Sequence, residues 1–141
     1  METTSPTVIT VDATVNAPVE KVWNNYNNPD HVTKWNFADP SWHCPSAKSD
    51  FRVGGEFVSR MEAKDGSFGF DFGATYTEIE TNRKVSYVMG DGRKCTVSFL
   101  PIGNTTHIVV AFDAETQNPV EMQKGGWQAI LNNFKNYTEN N

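Results

Sequence analysis

The sequence predicts an α+β fold in which one long C-terminal helix lies across a curved antiparallel sheet of about seven strands. Two observations support this prediction. The segment from Pro119 to Tyr137 repeats apolar residues at helical spacing, and the segment from Phe51 to Ala114 alternates apolar and polar residues between turn signals. A helix face built on Trp and Phe needs a broad apolar partner, which a curved sheet supplies. Such an arrangement can enclose a cavity.

The C-terminal helix is expected to begin at Pro119, because proline suits the first turn of a helix. One of its faces is apolar except for a single polar residue. That face comprises Val120, Gln123, Trp127, Ile130, Leu131 and Phe134. Gly125 and Gly126 lie about 100° apart on the helix, so Gly125 is expected to face away from the sheet and Gly126 to lie at the flank. A larger side chain at Gly126 is therefore expected to collide with the sheet or the cavity rim.

The first part of the chain predicts one strand followed by two short helices. Val8 to Val15 alternates polar and apolar residues, as a half-buried strand does. Pro18 then precedes apolar residues at the spacing of one helix face, which predicts a short helix. Those residues are Val19, Val22, Trp23 and Tyr26. The triplet Asn28 to Asp30 repeats the start signal, so a second short helix is expected to run through Trp35.

The next segment, Asn36 to Ser49, contains Pro40 and Pro45 and shows neither periodicity. It is expected to be a long loop, and loops of this length are uncommon unless they cover something. From Asp50 onward six strands are expected, separated by turn signals at hairpin intervals. Those signals are Gly54-Gly55, Asp65-Gly66, Asn82-Arg83, Asp91-Gly92 and Gly103-Asn104.

One face of these strands is apolar and is expected to be the interior of the sheet. It comprises Phe68, Phe70, Phe72, Ala74, Tyr76, Val85, Tyr87, Met89, Cys95, Val97, Phe99, Ile108, Val110 and Phe112. Arg60 and Glu62 share the opposite face of their strand from Phe57 and Met61. They are therefore expected to face solvent, as is Asp71.

Length and charge limit the possible classes of function. A chain of 141 residues with 38% hydrophobic content is expected to form one domain over residues 1–141, with residues 1–7 flexible. The net charge is −5 without clustered Lys or Arg, which argues against nucleic acid and anionic membranes as partners. The apolar runs are of strand length and the N-terminus lacks the pattern of a secretory signal. No integral membrane segment is expected, and the predicted location is the cytoplasm.

The reactive side chains form no recognised motif. Cys44 and Cys95 are distant and neither belongs to a CxxC pair, so both are expected to be reduced thiols. His43 and Cys44 are adjacent, but no further ligands follow at zinc spacing. The Gly54-Gly55 pair lacks the lysine of a phosphate loop and is expected to let a strand bend or bulge. No metal site, no cofactor and no catalytic residue is predicted.

Five strings of the sequence, taken in order, resemble a known superfamily. They are Val15 to Trp23, Trp35, Asp50 to Phe57, Gly73 to Ile79, and Gly125 to Trp127. Their order and spacing resemble the START-like superfamily, also called SRPBCC, whose helix-grip fold occurs in plant pollen-allergen-type proteins and polyketide cyclases. The closest resemblance is to the subgroup named after the activator of heat-shock-protein ATPase. It covers almost the whole chain.

This resemblance implies a hydrophobic cavity between the C-terminal helix and the sheet, with its mouth near the two short helices. We therefore expect the protein to bind a hydrophobic small molecule, lipid-like or polyaromatic. Within such a cavity the tyrosines on the apolar face could present their hydroxyl groups. The candidate ligand-binding residues are Trp23, Trp35, Phe57, Phe70, Phe72, Tyr76, Tyr87, Met89, Phe99, Gln123, Trp127, Ile130, Leu131 and Phe134.

Two alternative functions share the same fold. The first is an enzyme resembling a polyketide cyclase or dehydratase, which needs an ionisable group of shifted pKa at the cavity wall. The second is a regulator of a chaperone ATPase, suggested by the name of the subgroup, with the chaperone as a protein partner. The sequence offers no clear ionisable candidate, so ligand binding without catalysis is the preferred prediction.

Overall fold

The computed structural model describes residues 7–140 as three helices and one sheet. The elements are β1 (Val8–Val15), α1 (Val19–Asn27), α2 (Pro29–Trp35), β2 (Trp42–Ser49), β3 (Glu56–Ala63), β4 (Gly69–Glu80), β5 (Lys84–Met89), β6 (Lys94–Ile102), β7 (Thr105–Asp113) and α3 (Val120–Glu139). The seven strands form one curled antiparallel sheet in the order β1-β7-β6-β5-β4-β3-β2. The α+β class, the seven strands and the long C-terminal helix are confirmed. The expected flexibility of residues 1–7 lies outside the described residues, except at Thr7.

The predicted starts of the helices are also confirmed. Pro18 is the residue that caps the N-terminus of α1, and Pro119 does the same for α3. At α2 the side chain of Asn28 accepts a hydrogen bond of 3.0 Å from the backbone nitrogen of Asp30. This bond satisfies one of the free N–H groups of the first turn. Val120, by contrast, is 42% exposed and does not belong to the packed face of α3.

The prediction of a long loop over Asn36 to Ser49 is wrong, because its second half forms strand β2. This strand lies at the edge of the sheet and pairs only with β3. Its register shifts between His43 and Ser46, around Pro45. An edge strand tolerates both a proline and a bulge, and the bulge removes the alternation of a regular strand. Five strands, not six, therefore follow Asp50.

The paired glycines Gly54 and Gly55 lie in the tight turn between β2 and β3. Gly54 has a φ of +85°, which a residue with a side chain rarely adopts. A Cβ atom on Gly55 would lie 2.0 Å from the carbonyl oxygen of Asp50. The pair therefore makes a turn possible, instead of bending a strand as expected.

The concave face of the sheet carries the core. The inward residues of β5, β6 and β7 are all buried, as predicted, and they join Ile9 and Val11 from β1. The first part of β4 differs from the prediction: Phe68 is 61% exposed and Phe70 is 41% exposed. Both rings contact Trp42 of β2, outside the buried core cluster. The apolar alternation of the sequence therefore continues beyond the buried core, into exposed positions at the start of β4.

Helix α3 lies along one side of the sheet. The ring of Trp127 on this helix stacks on that of Phe112 of β7, with centroids 3.8 Å apart and an interplanar angle of 12°. Two side chains of the helix reach the backbone of the edge strand β1: Gln128 donates to the carbonyl of Asp12 at 3.0 Å, and Lys135 to that of Thr14 at 2.7 Å. The helix thus covers the edge of β1 and protects it from pairing with another strand. Within residues 7–140, no helix combines the length and the apolar content needed to cross a membrane.

Replacing Gly125 by alanine should stabilise the protein by about 0.5 to 1 kcal/mol, since alanine restricts the unfolded chain and favours the helix. Gly125 is exposed in α3, and a Cβ atom there meets nothing within 4 Å. Urea unfolding measures the change. The control is Gly103→Ala, which should destabilise because its φ is +62°. A loss of stability in Gly125→Ala would contradict the helical geometry at this position.

Candidate ligand-binding cavity

A cavity of about 450 Å³ lies between the helices and the concave face of the sheet. It exists because the helices cover opposite edges: α3 approaches the sheet mainly at β1, and α2 approaches it at β2. The inner faces of β3, β4 and β5 lie between them, away from the main helix contacts. Ala38, Phe70 and Met122 are exposed lining residues and mark the rim. The volume falls in the range of small-molecule sites, about 300 to 1,000 Å³.

The wall of the cavity is mostly aromatic. Phe57 of β3 lies at its centre, with ring centroids 4.9 Å from Tyr87 and 5.2 Å from Tyr76. On the facing side Trp127 contacts the edge of Phe72 at 6.4 Å. These contacts hold the rings in place, because offset and edge-to-face pairs are the preferred geometries of aromatic groups. The result is an apolar surface of fixed shape.

The structure brings ten of the fourteen sequence-predicted candidates to this wall. They are Trp35, Phe57, Phe70, Phe72, Tyr76, Tyr87, Gln123, Trp127, Ile130 and Leu131. The other four are buried in the core and do not line the cavity: Trp23, Met89, Phe99 and Phe134. Three of these four lie behind the wall, since Phe99 contacts Trp23 and Tyr26, and Phe134 contacts Trp35 and Tyr26.

The side-chain amide of Gln123, a predicted ligand-binding residue, makes three hydrogen bonds within the chain. Its side-chain oxygen accepts a hydrogen bond of 2.9 Å from the nitrogen of Glu115. Its side-chain nitrogen donates to the carbonyls of Glu115 and Asn118, at 3.1 and 2.8 Å. The amide is therefore occupied in holding the connection between β7 and α3. It explains the polar residue on an apolar helix face without any ligand.

Gly126 lines the cavity, whereas its neighbour Gly125 faces solvent. The predicted orientation of the two glycines is confirmed by this difference. A Cβ atom on Gly126 meets nothing within 4 Å, and the collision expected of a larger side chain stays a prediction. The absence of a side chain at this position leaves space in the cavity.

Three of the four tyrosines of the chain, Tyr26, Tyr76 and Tyr87, line the cavity. Burial raises the pKa of each phenol, and this is the largest cause in all three. For Tyr76 a hydrogen bond of 2.8 Å with the Ser49 hydroxyl partly opposes the shift in pKa. The three groups are therefore neutral near pH 7 and can donate hydrogen bonds.

Both cysteines are unpaired and buried, on strands β2 and β6. Burial raises the pKa of the Cys95 thiol from 9.0 to about 12, and the nearby Asp113 carboxylate acts in the same direction. Burial also raises the pKa of Cys44. Because the thiolate is the reactive form, neither group is activated as a nucleophile.

The sequence analysis did not name Tyr26, Ser59 or Met61 among the candidates, although all three line the cavity. The available signal was the periodicity. Tyr26 is the last apolar position on the inner face of α1, and Ser59 and Met61 follow Phe57 on the inward side of β3. The candidates on α1 and β3 were limited to Trp23 and Phe57.

The charged residues of β3 and β4 lie on the outer face of the sheet, as predicted. Arg60 forms ion pairs with Glu62 at 2.8 Å and with Asp71 at 3.3 Å, all partly exposed to solvent. His43 lies 3.8 Å from Glu62. Among residues 7–140 there is no group of three or more potential ligand side chains that could hold a metal ion.

The comparison with known families agrees with this architecture. The family model described as "Activator of Hsp90 ATPase homolog 1-like protein" matches residues 16–139. The chain belongs to this family. Its fold is that of the wider START-like superfamily, in which the sequence resemblance had placed it. No functionally curated protein matches the chain.

Solved structures support the same assignment. The solution structure of the AHSA1-like protein from Aeromonas hydrophila is 42% identical, with a TM-score of 0.89 over 95% of this chain and 93% of that one. Chr148 from Cytophaga hutchinsonii is 53% identical, with a TM-score of 0.81 over 94% and 92% of the two chains. CalU16 from Micromonospora echinospora is 17% identical, with a TM-score of 0.69 over 93% and 75%, and shares the fold alone.

The raised pKa values make the stability of this family member fall at alkaline pH. Above the ordinary thiol pKa of 9.0 the unfolded chain loses a proton from Cys95, whereas the folded chain keeps it up to about 12. The stabilisation is thus complete below pH 9 and is lost as the pH rises through this window. Each such group contributes a slope of about 1.4 kcal/mol per pH unit.

Urea unfolding between pH 7 and 10.5 measures this slope. In Cys95→Ala the free energy of unfolding should fall less steeply above pH 9, by up to about 1.4 kcal/mol per pH unit. The smaller side chain also lowers the stability at every pH, which does not change the slope. An unchanged slope in the variant would show that Cys95 keeps an ordinary pKa in the folded protein.

Proposed function

We propose that the protein binds a hydrophobic small molecule, lipid-like or polyaromatic, in the cavity between α3 and the sheet. The observation that carries this proposal is the aromatic wall around a space of about 450 Å³. A core of this size normally fills its interior, because protein interiors pack as densely as organic crystals. Here Gly126 leaves its part of the wall without a side chain.

The charged groups at the cavity favour binding over acid–base catalysis. Glu115 is the only carboxylate residue among the described lining residues, and its side-chain oxygens accept hydrogen bonds from Gln117 and Asn118. The cavity phenols have raised pKa values, far from the neutral value that suits a general acid or base. These features support a binding module in preference to a cyclase-like enzyme. The family name refers to a chaperone ATPase, and a chaperone partner is compatible with the cavity.

A neutral fluorescent probe tests the proposal. N-phenyl-1-naphthylamine emits strongly only when it leaves water, and it carries no charge that could attract it to surface residues. At about 0.3 kcal/mol for each of its roughly 17 non-hydrogen atoms, a buried probe gains about 5 kcal/mol, which corresponds to a Kd of about 0.2 mM. Titration of the protein into the probe should give saturable fluorescence.

Gly126→Phe should weaken this binding at least about fivefold, because the added ring occupies the space where a Cβ atom meets nothing within 4 Å. Its matched control is Gly125→Phe, one residue earlier in the same helix but facing solvent. The control should bind the probe like the original protein. Equal binding by both variants, with unchanged thermal unfolding, would place the probe elsewhere and refute the proposal.

A further inference from the structure

The three tyrosines of the cavity form one cluster. Tyr76 on β4 is the direct cross-strand partner of Tyr87 on β5, and Tyr87 is in turn the partner of Cys95 on β6. Side chains of such partners stand on the same face of a sheet, about 5 Å apart. Tyr26 reaches the same place from α1, and its phenol interacts electrostatically with Tyr76 and Cys95. The hydroxyl groups therefore converge from two layers of the fold.

The three hydroxyl groups differ in their partners. That of Tyr76 is hydrogen-bonded to Ser49 at 2.8 Å, and that of Tyr87 lies beside the Cys95 thiol, a weak partner. The Tyr26 hydroxyl forms no hydrogen bond within residues 7–140. In the same residues no buried side-chain oxygen or nitrogen is left without a partner. The Tyr26 hydroxyl must therefore open into the cavity, where a ligand atom can reach it.

Several other polar groups of the wall are engaged within the chain or exposed to solvent. The Gln123 amide holds three backbone atoms of the connection before α3. Arg93 pairs with Asp91 at 2.7 Å, and Lys48 is exposed. The phenols of Tyr26 and Tyr87 are two of the donors that remain inside this mostly aromatic wall. Both are donors without a strong acceptor, and a buried donor gains most from an acceptor supplied by the ligand.

We propose that Tyr26 and Tyr87 form the polar end of the ligand site and select a neutral, mainly aromatic ligand that carries one hydrogen-bond-accepting oxygen, such as an aryl ketone. This inference rests on the proposed function of the cavity. The rings of Phe57, Phe72 and Trp127 then contact the apolar body of the ligand. A charged ligand group is disfavoured at this end, because the surrounding rings would strip it of water. The raised pKa values of the phenols keep them protonated for this donation.

Two probes that differ by one oxygen test the selection: benzophenone and diphenylmethane, each measured by displacement of N-phenyl-1-naphthylamine. Benzophenone should bind about fivefold more tightly, the gain expected of a neutral hydrogen bond. The carbonyl ¹³C resonance of labelled benzophenone should also move downfield on binding. In Tyr26→Phe the preference for benzophenone and the shift of its carbonyl resonance should each shrink at least twofold. The affinity for diphenylmethane should stay the same. This variant removes no internal hydrogen bond, so its fold is retained.

Tyr137→Phe is the matched control. Tyr137 is the fourth tyrosine; it contacts His31 at 2.7 Å and does not line the cavity. This variant should leave the ratio of the two affinities unchanged. If neither probe nor dye binds the original protein, the proposed function itself fails. If both probes bind equally, or if Tyr26→Phe keeps the full preference for benzophenone, the phenol site is refuted while the hydrophobic cavity stands.

Discussion

The structure depends on the attachment of α3 to the edge of the sheet at β1. An edge strand has free backbone groups on one side, which would otherwise be open to pairing with another chain. Gln128 and Lys135 satisfy two carbonyls of β1, and the backbone nitrogen of Asn16 after this strand donates to Glu139 at 2.8 Å. The stack of Trp127 on Phe112 sets how deeply the helix lies. The helix is therefore held on one side of a sheet wider than itself.

This asymmetry produces the cavity. A single helix has a diameter of about 10 to 12 Å, whereas seven strands spaced about 4.8 Å apart span more than twice that width. With α3 held at β1, α2 at β2 and α1 against β6 and β7, the helices lie mainly away from β3, β4 and β5. Only long side chains from both layers reach across, and Phe72 and Trp127 meet there only at the ring edges. The space that remains follows from where the helix is attached.

Periodicity was sufficient to predict most elements and the apolar faces, because burial on one side of a helix or strand imposes a regular spacing. It failed where that condition did not hold. Strand β2 is a bulged edge strand around Pro45, so its spacing is irregular. Phe68 and Phe70 continue the apolar alternation beyond the buried core. Phe99, Phe134 and the other core residues cannot be told from cavity residues by sequence, since both are apolar and only the gap between the layers distinguishes them.

The polar groups of the cavity illustrate a second limit of sequence reasoning. The pattern can predict where a side chain lies, but not which hydrogen-bond partner it finds. Gln123 stood out on an apolar face, yet its amide is consumed by three backbone atoms. Tyr26 looked like one more apolar position of α1, yet its hydroxyl finds no hydrogen-bond partner within residues 7–140. A buried polar group must be satisfied, so the groups that the protein itself satisfies support the fold. Those that it leaves open are available to a ligand. In the proposed ligand site, specificity therefore depends on hydrogen bonds that the chain itself does not make.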